Sequence, residues 1–152
     1  MERAILVIED DRDIAHLVAL HLQDLGWTVD VVHHGHAGLI RALTMAYDLI
    51  ILDPPSFTKT KGGLRDALRG YRELHVRAFK LLSHDGLLAT FSCSHHVNET
   101  IFNQTVADAL VDARRSARRL RRFEQALDHP VLPTLPETEY FKGLLLEMMP
   151  GR

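Results

Sequence analysis

Residues 4–8 (AILVI) form a short, unbroken, β-branched apolar run, and that run limits the folds open to this chain. A strand apolar on both faces must be covered on both faces, as in a parallel sheet sandwiched by helices. Residues 48–52 (DLIIL) repeat the pattern and end at Asp53. Between the two runs, Ile14, Leu17, Val18, Leu22 and Leu25 recur at helical spacing. Asp11 or Asp13 can cap that helix, and Gly26 can close it. Residues 28–32 (TVDVV) predict a second strand, and Ala37, Ile40 and Leu43 predict a short second helix.

Pro54-Pro55 stops the third strand, because neither residue has an N–H to give to a ladder. A polar loop follows over residues 58–63. Leu64, Leu68, Tyr71, His75, Ala78 and Leu82 then mark a long amphipathic helix. Residues 86–91 predict a fourth strand ending near Cys93. Asn98 can cap a fourth helix with Ile101, Phe102, Val106, Ala109, Leu110 and Ala113 on its core face. Residues 114–123 are ambiguous: Ala117, Leu120 and Phe123 repeat every three, which does not separate helix from strand. A loop punctuated by Pro130, Pro133 and Pro136 leads to a last strand over residues 143–149 (GLLLEMM). Alternating strands and helices predict one α/β domain over residues 1–152, with a mostly parallel sheet and right-handed crossovers.

The 152 residues suit one core, and 46% hydrophobic with 25% charged residues is an ordinary soluble balance. The single cysteine excludes an internal disulfide and points to a reducing, cytoplasmic setting. The opening residues are too quickly acidic for a signal peptide, and no apolar stretch is long enough to span a bilayer. A net charge of -2 gives no global reason to expect nucleic acid or a membrane as partner. Six arginines between Arg114 and Arg122 read as a phosphate-binding stripe or as a charged guard on an edge strand, with the second preferred. His33, His34, His36, His95 and His96 fall at the ends of strands that two others should separate, so one shared metal site is not expected.

Two family resemblances overlap in this chain. Residues 1–53, with AILVIEDD, RDIAHLVALHLQDLGW, TVDVV and YDLIILD, resemble a response-regulator receiver domain. That resemblance implies a Mg²⁺ site at Glu9, Asp10 and Asp53, with Asp53 as phosphoryl acceptor. The family's later hydroxyl has loose counterparts in Ser92 and Ser94, and its lysine has none. Residues 47–152, with YDLIILDPPSF, RGYRELHVRAFKLLSHDGLLATFSCS and FEQALDHPVLPTLPETEYFKGLLLEMM, resemble a class I S-adenosylmethionine-dependent rRNA large-subunit methyltransferase acting on carbon 5 of cytosine. That resemblance implies a substrate pocket at Asp53, Pro54 and Pro55, with Cys93 as nucleophile.

The glycine-rich turn that such methyltransferases place after the first strand is missing, since Glu9-Asp10-Asp11 stands there. The expectation is therefore a hybrid, engineered or recombined, with no intact activity and vestigial Asp53, Pro54, Pro55 and Cys93. Cys93 reads as a part-buried strand-end thiol without an activating partner. Residual Mg²⁺ binding at Glu9, Asp10 and Asp53 is expected, whereas binding of S-adenosylmethionine or RNA is not. The chain is expected to be a monomer. The alternatives are a phosphoacceptor signalling module and a methyltransferase remnant. The expected fold is a three-layer doubly wound Rossmann-like or flavodoxin-like sheet of order 2-1-3-4-6-5, its last strand antiparallel. A receiver alone would have five parallel strands in the order 2-1-3-4-5.

Overall fold

The computed structural model describes residues 4–56 and 61–150. Phe57 of the Asp-Pro-Pro-Ser-Phe run and residues 58–60 of the polar loop lie outside the described residues. The elements run β1 (Ala4–Glu9), α1 (Arg12–Asp24), β2 (Thr28–Val32), α2 (Gly35–Thr44), β3 (Leu49–Asp53), α3 (Leu64–Leu81), β4 (Leu87–Ser92), α4 (Glu99–Ala113), β5 (Ala117–Phe123) and β6 (Lys142–Met148). The six strands form one sheet in the order β2-β1-β3-β4-β6-β5, as the sequence predicts. Pairings among β1, β2, β3 and β4 are parallel, and β6 runs antiparallel to both β4 and β5.

Local chemistry sets the helix ends. The Asp11 carboxylate accepts from the N–H groups of Asp13 and Ile14, at 2.9 and 3.1 Å, and so satisfies two donors at the start of α1. Gly26 leaves the helix with a φ of 81°, which a side chain would strain. Asn98 caps α4 by accepting from the Ile101 N–H at 2.9 Å.

The main core joins Leu6 of β1, Ile50 and Leu52 of β3 and Leu88 of β4 to Tyr71 and Phe79 of α3 and Phe102 of α4. β6 adds Leu144, Leu146 and Met148 to the same cluster. α1 packs on β1 and β2, but not with the face its spacing predicts. Ala15 and Ala19 are buried, whereas Ile14 and Leu25 are 49% and 70% exposed and Leu17 is exposed too. The small residues let the helix lie close to the strands. Of the predicted face, Ile14, Leu17 and Leu25 are turned toward solvent, whereas Val18 and Leu22 are half-buried.

A polar spine runs through the core between α3 and β4. His75 is fully buried; its Nδ1–H donates to the Tyr71 carbonyl at 2.6 Å and its Nε2 accepts from the Thr90 hydroxyl at 2.8 Å. Burial pushes this imidazole down to about 4, so it is neutral at ordinary pH and both ring nitrogens are satisfied. Ser92 Oγ donates to Tyr71 Oη at 3.1 Å one turn nearer the strand ends.

Gly143 of β6 lies opposite Phe91 of β4. A Cβ at that position would come within 2.5 Å of the Phe91 ring and 3.1 Å of the Phe123 Cβ. Gly143→Ala is expected to destabilise the fold by about 1–3 kcal/mol, the usual range for overpacking a filled site. Chemical denaturation would show it as a lowered midpoint at unchanged slope.

Candidate active site

Parallel register brings the candidate side chains to one edge. Glu9 is the register partner of Asp53, so the ends of β1 and β3 present two carboxyl groups side by side. Pro54 and Pro55 follow at once and carry the chain away from the sheet, with Pro54 buried and Pro55 exposed. β4 ends one position short of Cys93, next to β3, so Asp53 and Cys93 occupy adjoining strand ends. Lys142 opens β6 as the register partner of Ser92, on the other side of Cys93.

Glu9 is buried. Its Oε1 accepts from the Asp11 N–H at 2.9 Å, and its side chain is hydrogen-bonded to Asp53. Two carboxyl groups in that contact hold one proton between them. Burial above all, with the charges of Asp53 and Asp10, pushes Glu9 up to about 8. Burial likewise raises Asp53, against the favourable hydrogen bond from Glu9. His33 Nδ1–H donates to the Glu9 carbonyl at 3.0 Å and ties the end of β2 to that of β1.

These groups line a cleft of about 380 Å³ whose walls include Glu9, Asp10, His33, Asp53, Pro54 and Arg77. Such a volume suits a ligand of cofactor size. A larger cleft of about 690 Å³ opens beyond β6, between Asn98, Phe123, His129, Phe141 and Lys142. Among the described residues, no group of three or more His, Cys, Asp or Glu side chains is arranged to hold a metal ion. The histidines at the ends of β2 and β4 stay apart, with β1 and β3 between them.

Cys93 stands exposed at its strand end, so a reagent can reach it. Desolvation of its sulfur, with the Asp53 and Glu9 carboxylates adding, pushes the thiol up to about 11, and Lys142 opposes the rise. Lys142 was not singled out by the sequence; the one available signal is a cation immediately before a run of apolar residues. The arginines of β5 line an exposed edge, where Arg118 pairs with Glu147 and Arg122 with Glu99 at 2.9 Å.

No family model matches the chain. The sequence is similar to the ribosomal RNA large subunit methyltransferase I of Tolumonas auensis, 46% identical over 100 residues, covering 66% of this chain and 25% of that protein. The Escherichia coli O157:H7 protein of the same name is 42% identical over 103 residues, covering 68% of this chain and 26% of that one. The chain thus spans about a quarter of the length of these relatives. The likeness runs to methyltransferases. Among solved structures the fold is similar to SMU.776, a proposed methyltransferase crystallised with SAH, with a TM-score of 0.69 at 16% identity, covering 95% of this chain and 45% of that one. It is also similar to NSun6 of Pyrococcus horikoshii with SFG, with a TM-score of 0.61 at 16% identity, covering 97% and 42%.

These findings correct the reading of residues 1–53 as a receiver half and of the whole as an inactive, engineered or recombined hybrid. Methyltransferase folds span 95% and 97% of the chain, including its first third. The phosphoacceptor signalling module falls with that reading. The physical reason is that a buried strand, an acidic turn and an amphipathic helix form the first crossover of many doubly wound sheets. The expectation of no enzyme is overturned by relatives that are methyltransferases. The exclusion of RNA is overturned because those relatives are named for ribosomal RNA. The exclusion of S-adenosylmethionine, with Mg²⁺ as the residual ligand, gives way to neighbours of this fold that hold SAH and SFG. That exclusion rested on a missing glycine-rich turn; here Asp11 caps the helix that follows the turn, and a cleft opens between the ends of β1, β2 and β3.

The carboxyl pair makes stability depend on pH. Glu9 is raised from 4.5 to about 8, so the folded chain holds a proton that the unfolded chain releases earlier. That contribution is fully present below pH 4.5 and is lost as pH rises through about 8. His75 acts in the opposite sense, its contribution being lost as pH falls from 6.5 through about 4. Between pH 6.5 and 8 the Glu9 effect stands clear of it, and the melting temperature should fall as pH rises. Glu9→Gln should flatten that slope in thermal melts. An unchanged slope would remove the shared proton from this account.

Proposed function

We propose that this chain forms the catalytic edge of an S-adenosylmethionine-dependent RNA methyltransferase that modifies carbon 5 of a cytosine in large-subunit ribosomal RNA. The observation that carries the reading is the placing of Asp53-Pro54-Pro55 and Cys93 on adjoining strand ends beside a cofactor-sized cleft. Likeness to rRNA methyltransferases over two-thirds of the chain supports it. A soluble, cytoplasmic setting accords with this reading, and no helix among the described residues is long and apolar enough to cross a membrane.

The residues around the cleft fit the cofactor by charge. A buried carboxyl pair that must share a proton for want of a cation favours a cationic ligand, and S-adenosylmethionine carries a sulfonium and an ammonium. Glu9, Asp10 and Asp53 would hold that cationic end, with Arg77 on the same wall for a carboxylate. When bound, the cofactor supplies an electrophilic methyl group.

The chain's own part is to activate the base. The Cys93 thiolate adds to carbon 6 of the pyrimidine, which places electron density on carbon 5. Asp53, raised by burial and within the electrostatic reach of Cys93, is suited to hold a proton at the ring during addition. After methylation, loss of the carbon 5 proton to a base lets the thiolate leave and restores the aromatic ring. Pro54 and Pro55 offer no N–H at the strand exit, so this wall of the pocket is shaped without donors that would compete for the base.

Titration calorimetry on the intact chain tests the cofactor site. Saturable binding of both S-adenosylmethionine and S-adenosylhomocysteine is expected. Glu9→Gln should weaken the first by about tenfold and the second far less, because only the first carries a sulfonium. Label from methyl-labelled S-adenosylmethionine should pass to large-subunit rRNA and be lost with Cys93→Ala. No binding of either cofactor would overturn the proposal.

A further inference from the structure

The mechanism needs a thiolate at Cys93, yet two carboxyl groups face it. Asp53 approaches from the end of β3 and Glu9 from the end of β1, and both disfavour a negative sulfur. From α3, Tyr71 also feels the charge of Cys93. One cation opposes them, and it comes from β6. Lys142 is a buried lysine, a rare state that requires its ammonium to be held.

It is held by two carbonyls. Nζ donates to Ser94 O at 2.6 Å and to Tyr140 O at 2.6 Å. Ser94 is the residue after Cys93, and Lys142 is the register partner of Ser92, the residue before it. The ammonium is thus fixed across the strand pair to the backbone next to the thiol, and back to its own segment two residues before it. An ammonium has three hydrogens, and these two bonds leave one.

We infer that Lys142 is the positioning residue that provides the Cys93 thiolate with its counter-charge, fixed in place by the Ser94 and Tyr140 carbonyls. The assignment rests on Cys93 as the nucleophile, and its test needs neither cofactor nor RNA. Burial pushes Lys142 down to about 8, with Cys93 and Glu139 working against the fall. The lysine therefore surrenders its charge only just above physiological pH, and the thiol's reactivity should record that loss.

Cys93 is the only cysteine, so its alkylation by iodoacetamide can be followed by intact mass. The thiolate displaces iodide and forms a thioether, so the rate tracks the thiolate population. Glu9 also exchanges its proton near pH 8, so every protein in the series carries Glu9→Gln, which removes that titration, and each is checked for folding by circular dichroism. With Lys142 present, the logarithm of the rate should climb with pH and bend near 8, as the ammonium is lost. Lys142→Met should react about three- to tenfold more slowly at pH 7.5 and show no bend. Lys142→Arg should keep the fast rate and also show no bend, because a guanidinium does not titrate there.

A straight climb through pH 8 with Lys142 in place would overturn the inference, and so would a folded Lys142→Met with an unchanged profile. If Lys142→Met fails to fold, the parent profile and Lys142→Arg still decide. Failure of methyl transfer with the bend intact would count against the proposed function and leave this pairing standing.

Discussion

Parallel pairing of β1 with β3 sets Glu9 against Asp53, and the chemistry of the whole edge depends on that contact. The two groups cannot both be charged without a cation between them, so they hold a proton instead. The same charges that would draw a sulfonium into the cleft also hold the Cys93 thiol in its protonated form. A cation entering the cleft would relieve both at once. Under the proposed function, cofactor binding and nucleophile activation would be linked through a single pair of carboxyl groups.

Beneath that edge the sheet is anchored by neutral hydrogen bonds. His75, Tyr71, Thr90 and Ser92 join α3 to β4 with every imidazole nitrogen satisfied. A neutral spine makes no electrostatic demand on the carboxyl pair above it. Rigid support and reactive charge are thus kept on different residues, one layer apart.

Much of this was legible in the sequence. The unbroken run at residues 4–8, the capping residues Asp11 and Asn98 and the turn at Gly26 all appear where composition and spacing put them. The six-strand order was legible through the family resemblances rather than through spacing, antiparallel last strand included. Three features were not. β5 is an edge strand exposed along nearly all its length, so no apolar alternation marks it, and two of its ion pairs come from distant Glu147 and Glu99. In α1 the periodicity gives the helix but not its full rotation, because Ala15 and Ala19 are its buried residues while Ile14, Leu17 and Leu25 are exposed. Lys142 is buried by its strand partner, and partners 50 residues apart leave no local trace. The receiver likeness misled for a related reason: a short strand, acidic turn and helix record a crossover, not a family.

The strand order has a consequence for how the molecule is assembled. β6 is the last strand in the chain but an inner strand of the sheet, and β5 pairs with no other strand. Strands β1 to β4 can pair as they are synthesised, but β5 has no partner until β6 follows it, and the pair must then close against β4. Such a wedge is a non-local step taken late, of the kind that slows folding and leaves an edge open to misassembly. The arginines spread along β5 would keep that waiting strand from pairing with another copy of itself.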